Sequence, residues 1–223
     1  MSGAADRLPT EALIARLARD AGPVRRLWRP WARSMVWFAA VAILGGLVAT
    51  QADLPAAAAR VLAFPDMWLA VVGSVLTAAL AGVAAVMLSL PDRSGRWAWL
   101  PWPGVALWLG ASGLGCLRYD VIATLHPASM QDAMRDCLPF ILKLSVVLAV
   151  PLGILLWRAR PLRPGLVCSM GGLAVAAAAA SLLWLVHPFD ASAIDLLVHA
   201  GAVLTVVLAC RLAAAIPGRR APP

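Results

Sequence analysis

Six apolar stretches, most of them about twenty residues long and nearly free of charge, limit what this chain can fold into. They cover residues 32–50, 67–90, the run from Gly104 until charge returns at Arg118-Tyr119-Asp120, and then 139–157, 165–186 and 196–215. A helix of about twenty apolar residues crosses the hydrocarbon core of a bilayer. The chain is 62% hydrophobic and 13% charged, against roughly half and a quarter in a soluble domain. No strand-like alternation runs through the stretches, and lipid requires each span to satisfy its own backbone hydrogen bonds. The expected fold is therefore all-α: a polytopic integral membrane bundle of six transmembrane helices, preceded by a short cytoplasmic amphipathic helix. The chain divides into a polar segment at 1–31, a membrane domain at 32–215 and a tail at 216–223. The first 30 residues lack the apolar core of a cleaved signal peptide. Gly45-Gly46, Gly110-Ala111-Ser112-Gly113, Gly171-Gly172 and the alanine tract at 176–180 predict close helix packing within lipid.

Charge sets the expected orientation. With Arg33 and Arg211 included, the two ends of the chain and the loops at 91–103 and 158–164 hold 15 of the 19 basic residues. The other side keeps only Arg60, Arg118, Arg135 and Lys143, together with seven of the eleven acids. The positive-inside rule then places both termini in the cytoplasm. On the outer side, residues 51–66 and 118–139 are expected as loops, the second carrying a short helix in SMQDAMRDCL, and a further loop follows His187.

The polar N-terminal segment reads as a helix opening at Thr10, with Glu11 suited to the positive end of its dipole. Leu13, Ile14 and Leu17 recur on one side, and Arg16, Arg19 and Asp20 take the other. Gly22-Pro23 should end this helix. A second short amphipathic piece sets Val24, Leu27 and Trp28 against Arg25, Arg26 and Arg29. Trp28, Trp31 and Trp37 suit a membrane-interface belt. Two functions fit such a segment: a basic helix lying on an anionic leaflet, or a helix that docks in a groove of a cytosolic partner.

Residues that carry chemistry are few. Cys116, Cys168 and Cys210 read as small apolar residues of spans. Cys137 is expected in a polar loop beside Asp132, Arg135 and Asp136, with an accessible thiol that faces an oxidising compartment. Cys116 is near enough in topology to be a possible disulfide partner. His126, His187 and His199 fall on the same side, and Cys137 with His187 and His199 could form an N/S/O metal site. No pair among them has a recognised ligand spacing, and interfacial hydrogen bonding is the alternative. Lys143 and Arg118 are expected to snorkel outward. The absence of ionisable residues near the midplane argues against a transporter. No protease, hydrolase, P-loop or nucleic-acid-binding motif occurs, so neither an enzyme, a cofactor, a small-molecule substrate nor direct nucleic-acid binding is expected.

The run LIARLARDAGPVRRLWRPWARSMVW resembles the N-terminal signature of the NrsF-type membrane proteins of proteobacteria. The segment CLPFILKLSVVLAVPLGILLWRARPLRPGLVCSMGGLAVAAAAASLLWLVHP is similar to the same family's fourth span, basic turn and fifth span. Those proteins are six-span anti-sigma factors that restrain extracytoplasmic-function sigma factors. The resemblance implies that Leu13, Ile14, Leu17, Val24 and Leu27, with Arg16, Arg25 and Arg26, bind the sigma factor at the inner membrane. It also implies release on an envelope signal, a thiol-reactive metal or oxidant, with Cys137 matching the first sensing cysteine. The family's second sensing cysteine lies in a His-Cys-Pro sequence; here Pro188 follows His187 directly. That leaves Cys116 and His199 as the remaining candidates beside it. The alternative is a membrane scaffold or subunit of a larger complex without a sigma partner.

Overall fold

A computed structural model describes residues 10–21, 26–122, 130–186 and 193–215, with the side chains of all of these except 118–122, 130–136 and 193–195. Among the described residues the fold is all-helical: α1 (Thr10–Asp20), α2 (Pro30–Ala49), α3 (Leu54–Ala63), α4 (Pro65–Leu88), a 3-10 turn (Gly95–Trp99), α5 (Trp102–Ile122), α6 (Met130–Trp157), α7 (Pro164–Leu183) and α8 (Ala193–Ala213). Six helical segments are long and apolar enough to cross a membrane: Pro30–Ala49, Pro65–Leu88, Gly95–Leu117, Cys137–Trp157, Pro164–Leu183 and Leu196–Ala213. Proline stands in the first turn of α2, α3, α4 and α7, where its missing N–H costs nothing and its fixed φ starts the helix.

The centre of the bundle is the pair α4 and α7. The chain reverses between successive spans, so the two run antiparallel. Ser74 and Ser181 meet across them, Oγ to Oγ at 3.0 Å, and each hydroxyl also donates to its own helix backbone. α7 contributes to every buried cluster. Ala174, Val175, Ala177 and Ala178 face α2, α4 and α6. Ala176 and Ala180 pack with Trp108 of α5 and Val203 of α8. Ala179 and Leu183 close on Cys137, Ile141 and Ala202. Large apolar residues such as Ile43, Leu47, Val146, Val150, Leu204 and Leu208 point outward instead. This distribution suits lipid, where bulky side chains gain nothing by hiding and small ones let backbones approach.

Glycine sets the closest crossings. A Cβ added at Gly73 would lie 2.5 Å from the Trp108 backbone nitrogen, and one at Gly104 would lie 2.7 Å from that of Thr77, so this pair brings α4 against α5. Gly172 brings α7 within a Cβ distance of 2.9 Å of the Val207 Cα on α8. Each small-residue run expected to mediate packing contributes to it: the alanine tract, Gly171-Gly172, Ala111 with Ser112, and Gly45, whose added Cβ would lie 3.1 Å from Leu182 Cδ2. Gly110 and Gly113 face open space.

Four local expectations need correction. Residues 54–63 form a helix rather than open loop, because the Asp53 side chain accepts from Ala56 N at 3.1 Å and Pro55 presets the first turn. The interval before the fourth span is shorter than expected, because α5 extends to Ile122 and α6 begins at Met130 and runs unbroken to Trp157. Cys137 accordingly lies inside a helix. Residues 26–29 form no helical piece: Arg29 is extended, with φ −53° and ψ 141°, as the proline that follows it demands. Trp37 is not an interface residue. It is 1% exposed, with its ring against Gly82; Trp28 and Trp31 remain exposed.

Gly73→Ala should therefore force α4 and α5 apart and destabilise the bundle by about 1–3 kcal/mol. Gly110→Ala should be neutral or slightly stabilising, since helix propensity favours alanine. Unfolding in mixed micelles by SDS titration measures both.

Candidate functional site

The site has three parts along one path. The first is the polar arm. Every residue of α1 is exposed, including Leu13, Ile14 and Leu17. Arg16 and Asp20 lie 4.0 Å apart, one turn from each other, and Arg19 Nε donates to the Ala15 carbonyl at 3.2 Å. Both contacts keep the charged side chains on α1 itself and leave the apolar ones uncovered. Arg26 and Leu27 are exposed in the extended stretch before α2. Val24 and Arg25 lie outside the described residues.

The second part was not legible in the sequence reading. Arg33, counted there among the cytoplasmic charges, is 2% exposed. It stands in the first turn of α2 and reaches across the end of the bundle. Its Nη1 donates to Ser89 Oγ at 3.2 Å and its Nη2 to the Leu155 carbonyl. Both acceptors are at helix C-termini. Ser89 is the C-cap of α4, and its hydroxyl donates on to the Val86 carbonyl at 2.6 Å. Leu155 is in the closing turns of α6, where Arg158 N–H bonds to Ile154 and Ala159 N–H bonds to Leu156. The turn tightens there, and the carbonyl between them goes to the guanidinium. One cation thus serves the negative ends of two helices. Among the described residues it has no carboxylate partner. Trp37, one turn further along α2, is buried beside it in the helix sequence, and its indole Nε1 has no hydrogen-bond partner among the described residues. The signal that could have singled out Arg33 is an ionisable residue inside an apolar window at helical spacing from a tryptophan.

The third part is at the opposite end of α6. Cys137 is 2% exposed and packs with Ile141, Ala179, Leu183 and Ala202, bordered by Phe140, Leu144 and Val186. The expected accessible thiol is therefore replaced by a sealed one. Cys116 is also buried, on α5, and is not a member of that cluster. His199 is half-buried on α8, one turn before the Ala202 that touches the cluster. His126 and His187 lie outside the described residues. Among the described residues no group of three or more His, Cys, Asp or Glu side chains could hold a metal ion. Lys143 is exposed on α6.

Among the described residues the chain is all-helical, with six helices long and apolar enough to cross a membrane and an exposed polar arm. The family model for the negative regulator of sigma F, NrsF, matches residues 17–217. The chain belongs to that family, which makes it a negative regulator of a sigma factor, with a sigma factor as its partner. NrsF is a family of regulators and not of enzymes. The match opens at Leu17, inside α1, so Leu13 and Ile14 precede it. Neither a curated protein nor a solved structure matches the chain.

Burial of Cys137 has a direct chemical consequence. In the folded protein it should react with a maleimide on the order of tenfold or more slowly than after unfolding in SDS. Peptide mass mapping of the labelled cysteines measures the ratio.

Proposed function

We propose that this chain is an inner-membrane anti-sigma factor with both termini in the cytoplasm, and that it sequesters an extracytoplasmic-function sigma factor through residues 1–31. The observation that carries the proposal is the exposure of Leu13, Ile14 and Leu17 on a helix that no other described element covers, joined to a bundle of the NrsF family. Three apolar side chains spaced at i, i+1 and i+4 form the kind of stripe that enters a hydrophobic groove. Val24 and Leu27 would extend the contact, and Arg16, Arg25 and Arg26 would meet acidic patches. Binding hides the surface the sigma factor needs for polymerase or promoter. The cytoplasmic placement rests on the segregation of basic residues.

Release follows an envelope signal, a thiol-reactive metal or an oxidant, acting at Cys137 with Cys116, His187 and His199 nearby in topology. Because Cys137 is sealed between α6, α7 and α8, reaction there requires those helices to part. Signal capture and conformational change are then one event. A swing from 1:99 to 99:1 needs a differential of about 5.5 kcal/mol, which a thiolate–metal bond is strong enough to supply.

Detergent-solubilised protein should co-purify the sigma factor encoded beside it. The Leu13→Glu, Leu17→Glu double variant should reduce that capture by at least about tenfold, as loss of two buried leucines implies. Equal capture by the double variant would remove α1 from the interface, and no capture by wild type would return the arm to the role of a surface anchor. With the complex in hand, Cys137→Ser should retain the sigma factor and lose its release by thiol-reactive metal, read as sigma factor remaining on the resin.

A further inference from the structure

We infer that Arg33 is the positioning residue that fixes where the N-terminal arm leaves the bundle, by holding the first turn of α2 against the closing turns of α4 and α6. The inference deepens the proposed function and depends on it only for the identity of what the arm carries.

A cation in the first turn of a helix is at the wrong end of that helix's own dipole. A buried guanidinium without a carboxylate is also costly to desolvate. Arg33 has both handicaps, so nothing about α2 alone explains it. What compensates is the pair of C-termini it reaches, at Ser89 and at the Leu155 carbonyl. Its function is therefore a matter of where it holds α2. Ionisable side chains inside spans are functional candidates by default, and this one is sealed in the wall between three helices.

The arm inherits its direction from this contact. Arg29 is extended and Pro30 has a fixed φ, so the backbone enters the first turn of α2 in a defined direction. Elsewhere α2 is among the least buried of the six spans. Its other buried residues are Ser34 and Trp37, the latter against Gly82. Loss of the Arg33 contacts would leave the arm without a defined exit.

The same contact ties the arm to the cysteine at the far end of α6. Cys137 and Leu155 are on one helix, about 27 Å apart at 1.5 Å per residue. Pro151 lies one turn before Leu155. It has no N–H for the Val147 carbonyl, so one helix bond is missing just ahead of the closing turn of α6, as another is at Pro139. Displacement of α6 moves the Leu155 carbonyl, and a buried guanidinium that loses its acceptor is expelled rather than stretched. Arg33 thus has a seated and an unseated state, with the arm directed in one and free in the other.

The test uses the full chain in lipid nanodiscs, with spin labels attached by a non-cysteine chemistry at positions 27 and 94. Wild type should give one narrow distance distribution. Arg33→Leu should broaden it, and Arg33→Lys, which keeps the charge but reaches one acceptor, should restore it in part. Ser89→Ala should produce an intermediate broadening. A wild-type distribution from folded Arg33→Leu overturns the inference. If Arg33→Leu does not fold, the same result from both Arg33→Lys and Ser89→Ala overturns it. Sigma-factor capture is measured separately on unlabelled protein in nanodiscs, because position 27 lies in the proposed docking surface, and Arg33→Leu should lower it about tenfold. Broadening with unchanged capture overturns the link between arm direction and binding. Broadening in a protein whose wild type captures no sigma factor supports the joint and removes the sigma-binding role of the arm.

Discussion

A helix that ends inside a packed bundle leaves carbonyls without donors, and in lipid no water is present to supply them. At one end of this bundle α4 and α6 stop side by side and α2 starts between them. Arg33 meets the need with a single side chain, donating to the cap of one helix and to a carbonyl of the other. Charge-assisted hydrogen bonds of this type are worth about 1.5–3 kcal/mol each. They are worth most where solvent cannot compete. The turn at residues 158–163, the end of α4 and the path of the arm all meet at this point, so the geometry of that end depends on whether the guanidinium is seated.

The arm and the cysteine cluster are at opposite ends of the molecule and have opposite characters. α1 is polar on one side, apolar on the other and uncovered throughout. Cys137 is buried in an apolar cluster. Under the proposed function, the docking stripe is exposed while the sensing thiol is shielded.

The spans were legible because composition and length suffice for them: about twenty apolar residues in a row leave few alternatives. Their alternation and the small-residue core of α7 followed from the same pattern. The shorter elements were harder. A ten-residue helix such as α3 is separated from a loop by its cap at Asp53 and the proline after Leu54, which are weak signals beside the alanines between them. The run before Cys137 reads as a short separate helix, yet it is continuous with α6, because extending a helix already nucleated in the adjoining span costs less than starting a new one. The burial of Arg33 and Trp37 was hidden for a different reason. Both belong to residue types that favour interfaces, and only the positions of Gly82, Ser89 and Leu155 in space reveal that a buried site awaits them. Pairings between distant segments leave no trace in local periodicity.

The alanines of α7 have one more consequence. A methyl group has no rotamers, so ordering this helix against its neighbours costs almost no side-chain entropy. It also means that the interface has no alternative arrangement of side chains to repack into. Leucine or methionine at such a contact can accommodate a shift by changing χ angles; alanine can only slide or separate. The α4 and α7 pair should therefore behave as a stiff spine, around which helices with larger side chains rearrange. Any change that travels the length of this protein would have to travel along its flanks.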